Sequence, residues 1–158
     1  MKKIFFILIL ISNISVSQEI VSINNVNDIA NIKNENKGKV FAINFWASWC
    51  KPCVNEFPAL VKLNKNYKDK NFNLIFISLD FKEEVETKLL PFLKSNDVDY
   101  ISYYLDTNSP EEIMDYLDKK WDGGIPATFI FDKSGNLQNF ILGERNYEFF
   151  EKEIKKLI

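Results

Sequence analysis

Cys50 and Cys53 are the only two cysteines in the chain, and Lys51 and Pro52 are all that separates them. They belong to the stretch Phe45-Trp46-Ala47-Ser48-Trp49-Cys50-Lys51-Pro52-Cys53. An apolar run that reads as a buried strand leads into it, and a run with helical spacing follows. A thiol in the first turn of a helix meets the positive end of the helix dipole and free backbone N–H groups. Both favour the thiolate, which is the reactive form of cysteine. A second cysteine one turn on can close a disulfide with the first. This is the pattern of a dithiol/disulfide redox centre.

Other chemistries suit the pair less well. A disulfide spanning so short a loop constrains the unfolded chain little, so a purely structural bond would stabilise poorly. A zinc site needs about four ligands, and the chain has no further cysteine and no histidine. Haem attachment needs His directly after the second cysteine, and Val54 stands there. Two inert buried thiols would leave this spacing at a helix start as a coincidence. The lack of histidine also removes histidine bases and Ser-His-Asp triads.

The two thiols should have unequal roles. Cys50, at the helix start, is the better exposed and the better served by the dipole, so it is the attacking nucleophile. Cys53 lies deeper and resolves the intermediate by attacking the Cys50 sulfur. Pro52 fixes the backbone between them and removes a donor. Lys51 reads as solvated, and its charge could add modestly to thiolate stability. Trp49 either shapes the substrate surface or packs at the end of the strand, whereas Trp46 reads as core. Glu56 is three residues after Cys53 and shares its helix face. It could carry protons to and from the dithiol, or be an acid favoured near a helix N-terminus. Asn44 alternates away from Phe45 and could lie beneath the cysteines or satisfy nearby backbone groups. Far along the chain, Ile125-Pro126 enters a strand after two glycines. That is a plausible place for a cis peptide, although only about 5% of X-Pro bonds are cis.

The elements that must hold these residues follow from periodicity. Residues 19–23 alternate as a short strand, and Val26, Ile29, Ala30 and Ile32 mark a short amphipathic helix. Residues 40–46 and 73–79 are apolar runs of the kind buried on both faces. Residues 51–67 have helical spacing, with Pro58 expected to bend the helix. A helix is expected over 83–95 and a short strand over 100–105. Ser109-Pro110-Glu111-Glu112 is a cap, a first-turn proline and two acids, opening a helix to about Trp121. Residues 127–131 and 137–142 form a hairpin around Asp132-Lys133-Ser134-Gly135-Asn136, and a last helix covers 147–157. Parallel crossovers followed by an antiparallel hairpin give an α/β fold, a mixed central sheet with helices on both faces.

The chain has 158 residues, of which 46% are hydrophobic and 15% aromatic, enough for one domain with a sizeable core. A formal net charge of -2 gives no electrostatic case for nucleic acid. Met1-Lys2-Lys3, an apolar stretch to Ile11 and small residues at Ser15 and Ser17 match a secretory signal peptide. Cleavage is expected after Ser17, leaving a domain over 18–158. A retained membrane anchor is the alternative, although a spanning helix wants roughly 20 apolar residues. Outside the cytoplasm a cysteine pair can persist as a disulfide.

Trp49-Cys50-Lys51-Pro52-Cys53, then Gly124-Ile125-Pro126, a hairpin and a final helix resemble the thioredoxin superfamily over residues 38–158. Residues 43–53 with Glu56-Phe57-Pro58 look like its TlpA/ResA-like branch of exported bacterial thiol–disulfide oxidoreductases, many of them reductases in cytochrome c maturation. Residues 18–33 and about 82–122 would be that branch's N-terminal extension and central insertion. The resemblance implies a thioredoxin-like fold, a cis Pro126 opposite the disulfide, and substrate pairing on the Ile125 backbone. It matches Glu56 to the acid that this branch places near the cysteines. Asn44 stands where thioredoxin itself has a buried Asp, which puts that Asp's proton-transfer role in doubt here and leaves Glu56 as the better candidate for it. It implies a periplasmic protein-disulfide reductase acting through a mixed disulfide. Its partners would be a protein disulfide substrate and a membrane electron-donor protein, with no cofactor and no metal. A non-catalytic exported binding module is the alternative of another class. A thiol peroxidase shares the fold, but the chain has no Thr-x-x-Cys arrangement at Cys50.

Overall fold

The computed structural model describes residues 19–158; the expected signal peptide, residues 1–17, lies outside them. The unalternating run Val40–Trp46 is strand β2, and every residue of it is buried. Such burial needs cover on both faces and a partner on both edges. Strand β3 (Phe72–Ser78) pairs with it in parallel and β5 (Ala127–Phe131) antiparallel. The full sheet also contains β1 (Ile20–Ile23), β4 (Ser102–Leu105) and β6 (Leu137–Leu142), in the order β1-β4-β3-β2-β5-β6. All pairs are parallel on the β1 side of β2, and all are antiparallel on the β6 side.

Side-chain alternation along β2 sorts the core into two layers. Val40, Ala42 and Trp46 meet α2 (Lys51–Tyr67), α3 (Leu90–Ser95) and α5 (Tyr147–Lys155). Phe41, Ile43 and Phe45 meet α1 (Val26–Glu35) and α4 (Pro110–Leu117). The α2 layer is dense with aromatic rings. Phe57 stacks on Phe76 at 4.2 Å between centroids and lies 4.5 Å from Trp46 and 5.0 Å from Phe92.

The two additions meet each other. β1, from the N-terminal extension, pairs with β4, from the central insertion, in the register Ile20↔Ser102 to Ile23↔Leu105. α1 packs against α4 on the same side. Together they finish one edge of the sheet.

Within the insertion the structure departs from the expected single helix over 83–95. A 3₁₀ turn (Lys82–Glu84) passes into a π turn (Val85–Leu89) and only then into α3. The Leu90 N–H donates to Val85 O, five residues back. Pro91 explains the wide turn, since it has no N–H and its ring crowds the preceding helical carbonyl. The next helix ends at Leu117, short of Trp121, because Asp118 is extended. The Ser109 side chain makes no cap bond; its N–H is taken by Thr107 Oγ1 instead. Helix α2 continues through Pro58.

Candidate active site

Strand β2 delivers the chain straight into the turn that precedes α2. The Cys50 N–H donates to Ala47 O at 3.1 Å, and Cys50 itself, with extended φ and ψ, is the N-cap of α2. Its sulfur stands where a capping oxygen usually does and accepts the Cys53 N–H at 3.3 Å. Cys50 and Cys53 are joined, with an S–S length of 2.02 Å. Cys50 is 7% exposed and Cys53 1%. The ordering expected from helix position, with Cys50 outside and Cys53 beneath, therefore holds. Lys51 and Pro52 are both exposed. Ala47, buried, occupies the position three before Cys50.

The loop that leads into β5 closes the opposite side. The Ile125–Pro126 peptide bond is cis, and Ile125 O lies 3.9 Å from Cys50 Sγ. A disulfide sulfur carries no hydrogen, so this is a contact and not a hydrogen bond. The loop is anchored by Trp121, whose indole N–H donates to Gly124 O at 2.8 Å while its ring packs 4.6 Å from Phe45. On the exit side, Gly143 N–H donates to Pro126 O at 2.8 Å.

A buried carboxylate holds the turn before Cys50. Asp80, 1% exposed, sits just past the end of β3. It accepts from the Ser48 N–H at 3.0 Å and from the Ser48 and Ser78 hydroxyls at 2.5 Å each. The site thus has fixed supports from β2, β3 and β5. Trp49 is 59% exposed and Phe81 68%, and both line one cleft together with Asp80 and Asp106. Of the two readings of Trp49, packing at the strand end is the one that the structure does not bear out.

Glu56 lies one turn below Cys53 and is 3% exposed. Its Oε1 accepts from Asn44 Nδ2 at 3.2 Å and its Oε2 from the Arg145 backbone N–H at 3.0 Å. Burial dominates these donors and pushes its pKa up from 4.5 to about 7, with nearby Glu144 adding to the rise. The native state therefore binds a proton between those values that the unfolded chain has released. Stability from the protonated carboxyl is present below about pH 4.5 and is lost as pH rises through about 7, a swing on the order of 3 kcal/mol. Urea midpoints of the oxidised protein should fall across that window. Glu56→Gln should flatten the profile, and an unchanged slope would place the titration elsewhere.

Several supports had no signal in the sequence pattern. Arg145 acts through its backbone N–H, and any residue but proline would offer that group. Thr128, whose Oγ1 meets Asn44 Nδ2 at 2.9 Å, read as one more strand residue. Asp80 could have been suspected, as a polar residue at the carboxyl end of a parallel strand, where α/β sheets place their sites.

A family model described as the AhpC/TSA family matches residues 20–140. The thiol-disulfide oxidoreductase ResA of a Bacillus cereus strain is 31% identical over 121 residues, which is 77% of this chain and 65% of that protein. The thioredoxin-like protein YneN of Bacillus subtilis is 31% identical over 75% of this chain and 65% of its own. The chain thus spans 65% of the length of both relatives. A crystal structure of a thiol:disulfide interchange protein, a thioredoxin family protein from Chlorobium tepidum TLS, superposes with a TM-score of 0.64. That match has 27% identity and covers 79% of this chain and 83% of the other.

Proposed function

The chain belongs to the AhpC/TSA family and has a thioredoxin-like fold, and from that premise we propose that it is an exported, periplasmic thiol–disulfide oxidoreductase that works as a reductant. The observation that carries this reading is the Cys50–Cys53 disulfide, with the outer sulfur at the N-cap of α2 and the inner one a turn deeper. The names of the relatives support the activity, and the basic and apolar N-terminal segment supports export. The Lys51-Pro52 pair between the cysteines differs from the Pro-His pair of strongly oxidising relatives, which leans towards the reducing direction.

In the reduced protein Cys50 is the thiolate, held by the N-terminus of α2. It attacks one sulfur of a substrate disulfide, forms a mixed disulfide and releases the other substrate sulfur as a thiolate. Cys53 then loses its proton to ionised Glu56 and attacks the Cys50 sulfur. The second substrate thiolate leaves, and two electrons have passed from the dithiol to the substrate. An extended substrate segment pairs with the backbone of Ile125, beside Pro126, and Trp49 borders the segment's path. A membrane electron-donor protein restores the dithiol. No cofactor or metal takes part in these steps. Cytochrome c maturation and envelope redox homeostasis are the processes that such a reductant serves.

The reduction potential tests the direction. Equilibration against glutathione buffers, followed through Trp49 fluorescence, should give a midpoint more negative than about −180 mV, the value of a disulfide isomerase. A midpoint near about −120 mV, typical of a strong oxidant, would reverse the assignment.

A further inference from the structure

Both oxygens of the Glu56 carboxyl face donors. Oε2 receives the Arg145 backbone N–H and Oε1 receives Asn44 Nδ2. This suits a carboxylate, which only accepts. A carboxylic acid must also donate, and neither neighbour can accept from it. Yet burial brings the acid form into range near neutral pH. The acceptor that the acid needs is close by. Asn44 is 1% exposed, and its Oδ1 is buried with no partner among the described residues. Its Nδ2 meanwhile serves both Glu56 Oε1 and Thr128 Oγ1. Buried polar atoms without partners are uncommon and call for a reason. Asn44 and Thr128 are directly opposed across β2 and β5, so the ladder fixes their spacing.

We propose that Asn44 is the positioning residue for Glu56, and that its side-chain amide turns half a revolution when Glu56 takes up a proton. Oδ1 then replaces Nδ2 between Glu56 and Thr128. It accepts from the carboxyl O–H and from the Thr128 hydroxyl, which can donate as well as accept. Arg145 N–H keeps its bond to Oε2, and Nδ2 moves to the place that Oδ1 held. Amide oxygen and nitrogen are close in size, so the network reverses polarity without displacing the backbone. One proton is added at Oε1 and no covalent bond changes. From the loop after β6, Glu144 and Arg145 supply the charges that face Glu56. Tyr147 of α5 lines the adjoining open cavity, through which the proton exchanges with solvent. β2 and β5 contribute only neutral Asn44 and Thr128, and the disulfide of α2 does not titrate.

NMR of the oxidised protein between pH 5 and 9 tests this. The Asn44 side-chain NH₂ pair and the Glu56 carboxyl carbon should shift together with one midpoint. In Glu56→Gln, the new amide donates where the acid did, so Asn44 should keep its low-pH shifts throughout. Asn44→Leu removes both the donor to the carboxylate and the acceptor for the acid, so the Glu56 midpoint should move little; a rise of about one unit, a tenfold change in proton affinity, would mean that Asn44 serves the carboxylate alone and would overturn the proposal. Thr128→Ser should preserve the joint titration, and Thr128→Val should weaken it. Asn44 resonances that stay flat while Glu56 titrates would overturn the proposal. So would Glu56→Gln spectra at the high-pH shifts, an arm that does not depend on Asn44→Leu folding. Neither result bears on whether the cysteines exchange disulfides.

Discussion

Cys53→Ser, mixed with a disulfide-containing protein, should accumulate a covalent adduct on Cys50 that reductant releases. The reasoning is positional. Cys50 caps α2 and is the more exposed of the two sulfurs, so its attack needs no help from Cys53. Release does need Cys53, which is 1% exposed and bonded to Cys50 in the oxidised state. Removing the inner thiol leaves the first step intact and stops the second, so the intermediate has nowhere to go. Turnover should fall on the order of 10³-fold or more, as happens when one member of a catalytic unit is removed. Cys50→Ser should lose turnover equally and trap nothing. If Cys53→Ser collects no adduct and the unaltered protein reduces no disulfide substrate, the oxidoreductase reading fails and a binding module is left.

Phe57→Ala should cost about 3–5 kcal/mol, the largest stability loss expected of any single truncation at the site's base. Phe57 is fully buried and touches Trp46 of β2, Phe76 of β3 and Phe92 of α3 through ring contacts. It is therefore the bolt between α2 and the sheet. A domain of this size is stable by only about 5–15 kcal/mol, so the urea midpoint should drop by a large fraction. Phe57→Leu should recover part of the loss by filling most of the volume. Because Glu56 precedes Phe57, the loosened helix should also let water reach the carboxyl and lower its pKa from about 7. A loss below about 1 kcal/mol would mean that other contacts hold the helix in place.

What could be read in advance depended on whether a residue acts through its own side chain in a local pattern. β2 and α2 lie where periodicity placed them, because their apolar residues face the two core layers and nothing competes with that demand. Cys50, Cys53 and Glu56 share one helix, so spacing alone set them on one face. The cis bond at Pro126 rested on resemblance, since the local sequence allows either isomer. The partners of Glu56 could not be read at all. Asn44 and Thr128 meet only through strand register, and Arg145 contributes a main-chain group. In the insertion, Pro91 turned the first part of a helix expected from its apolar spacing into 3₁₀ and π turns. Trp121 was assigned to a helix end and instead pins the loop before Pro126.

β2 and β5 are paired over five residues, from Phe41↔Phe131 to Phe45↔Ala127, and both strands run directly into the site. The 3.9 Å separation between Cys50 Sγ and Ile125 O is thus set by a hydrogen-bonded ladder and not by mobile loops. For the proposed reductase this puts the conformational entropy of complex formation on the substrate's side. The protein arrives already ordered, and the incoming segment must straighten to lie along Ile125. A chain that is already extended or unfolded loses less freedom in doing so than one locked in a compact domain. Disulfides in unfolded or newly exported chains would therefore be reduced ahead of those inside finished folds.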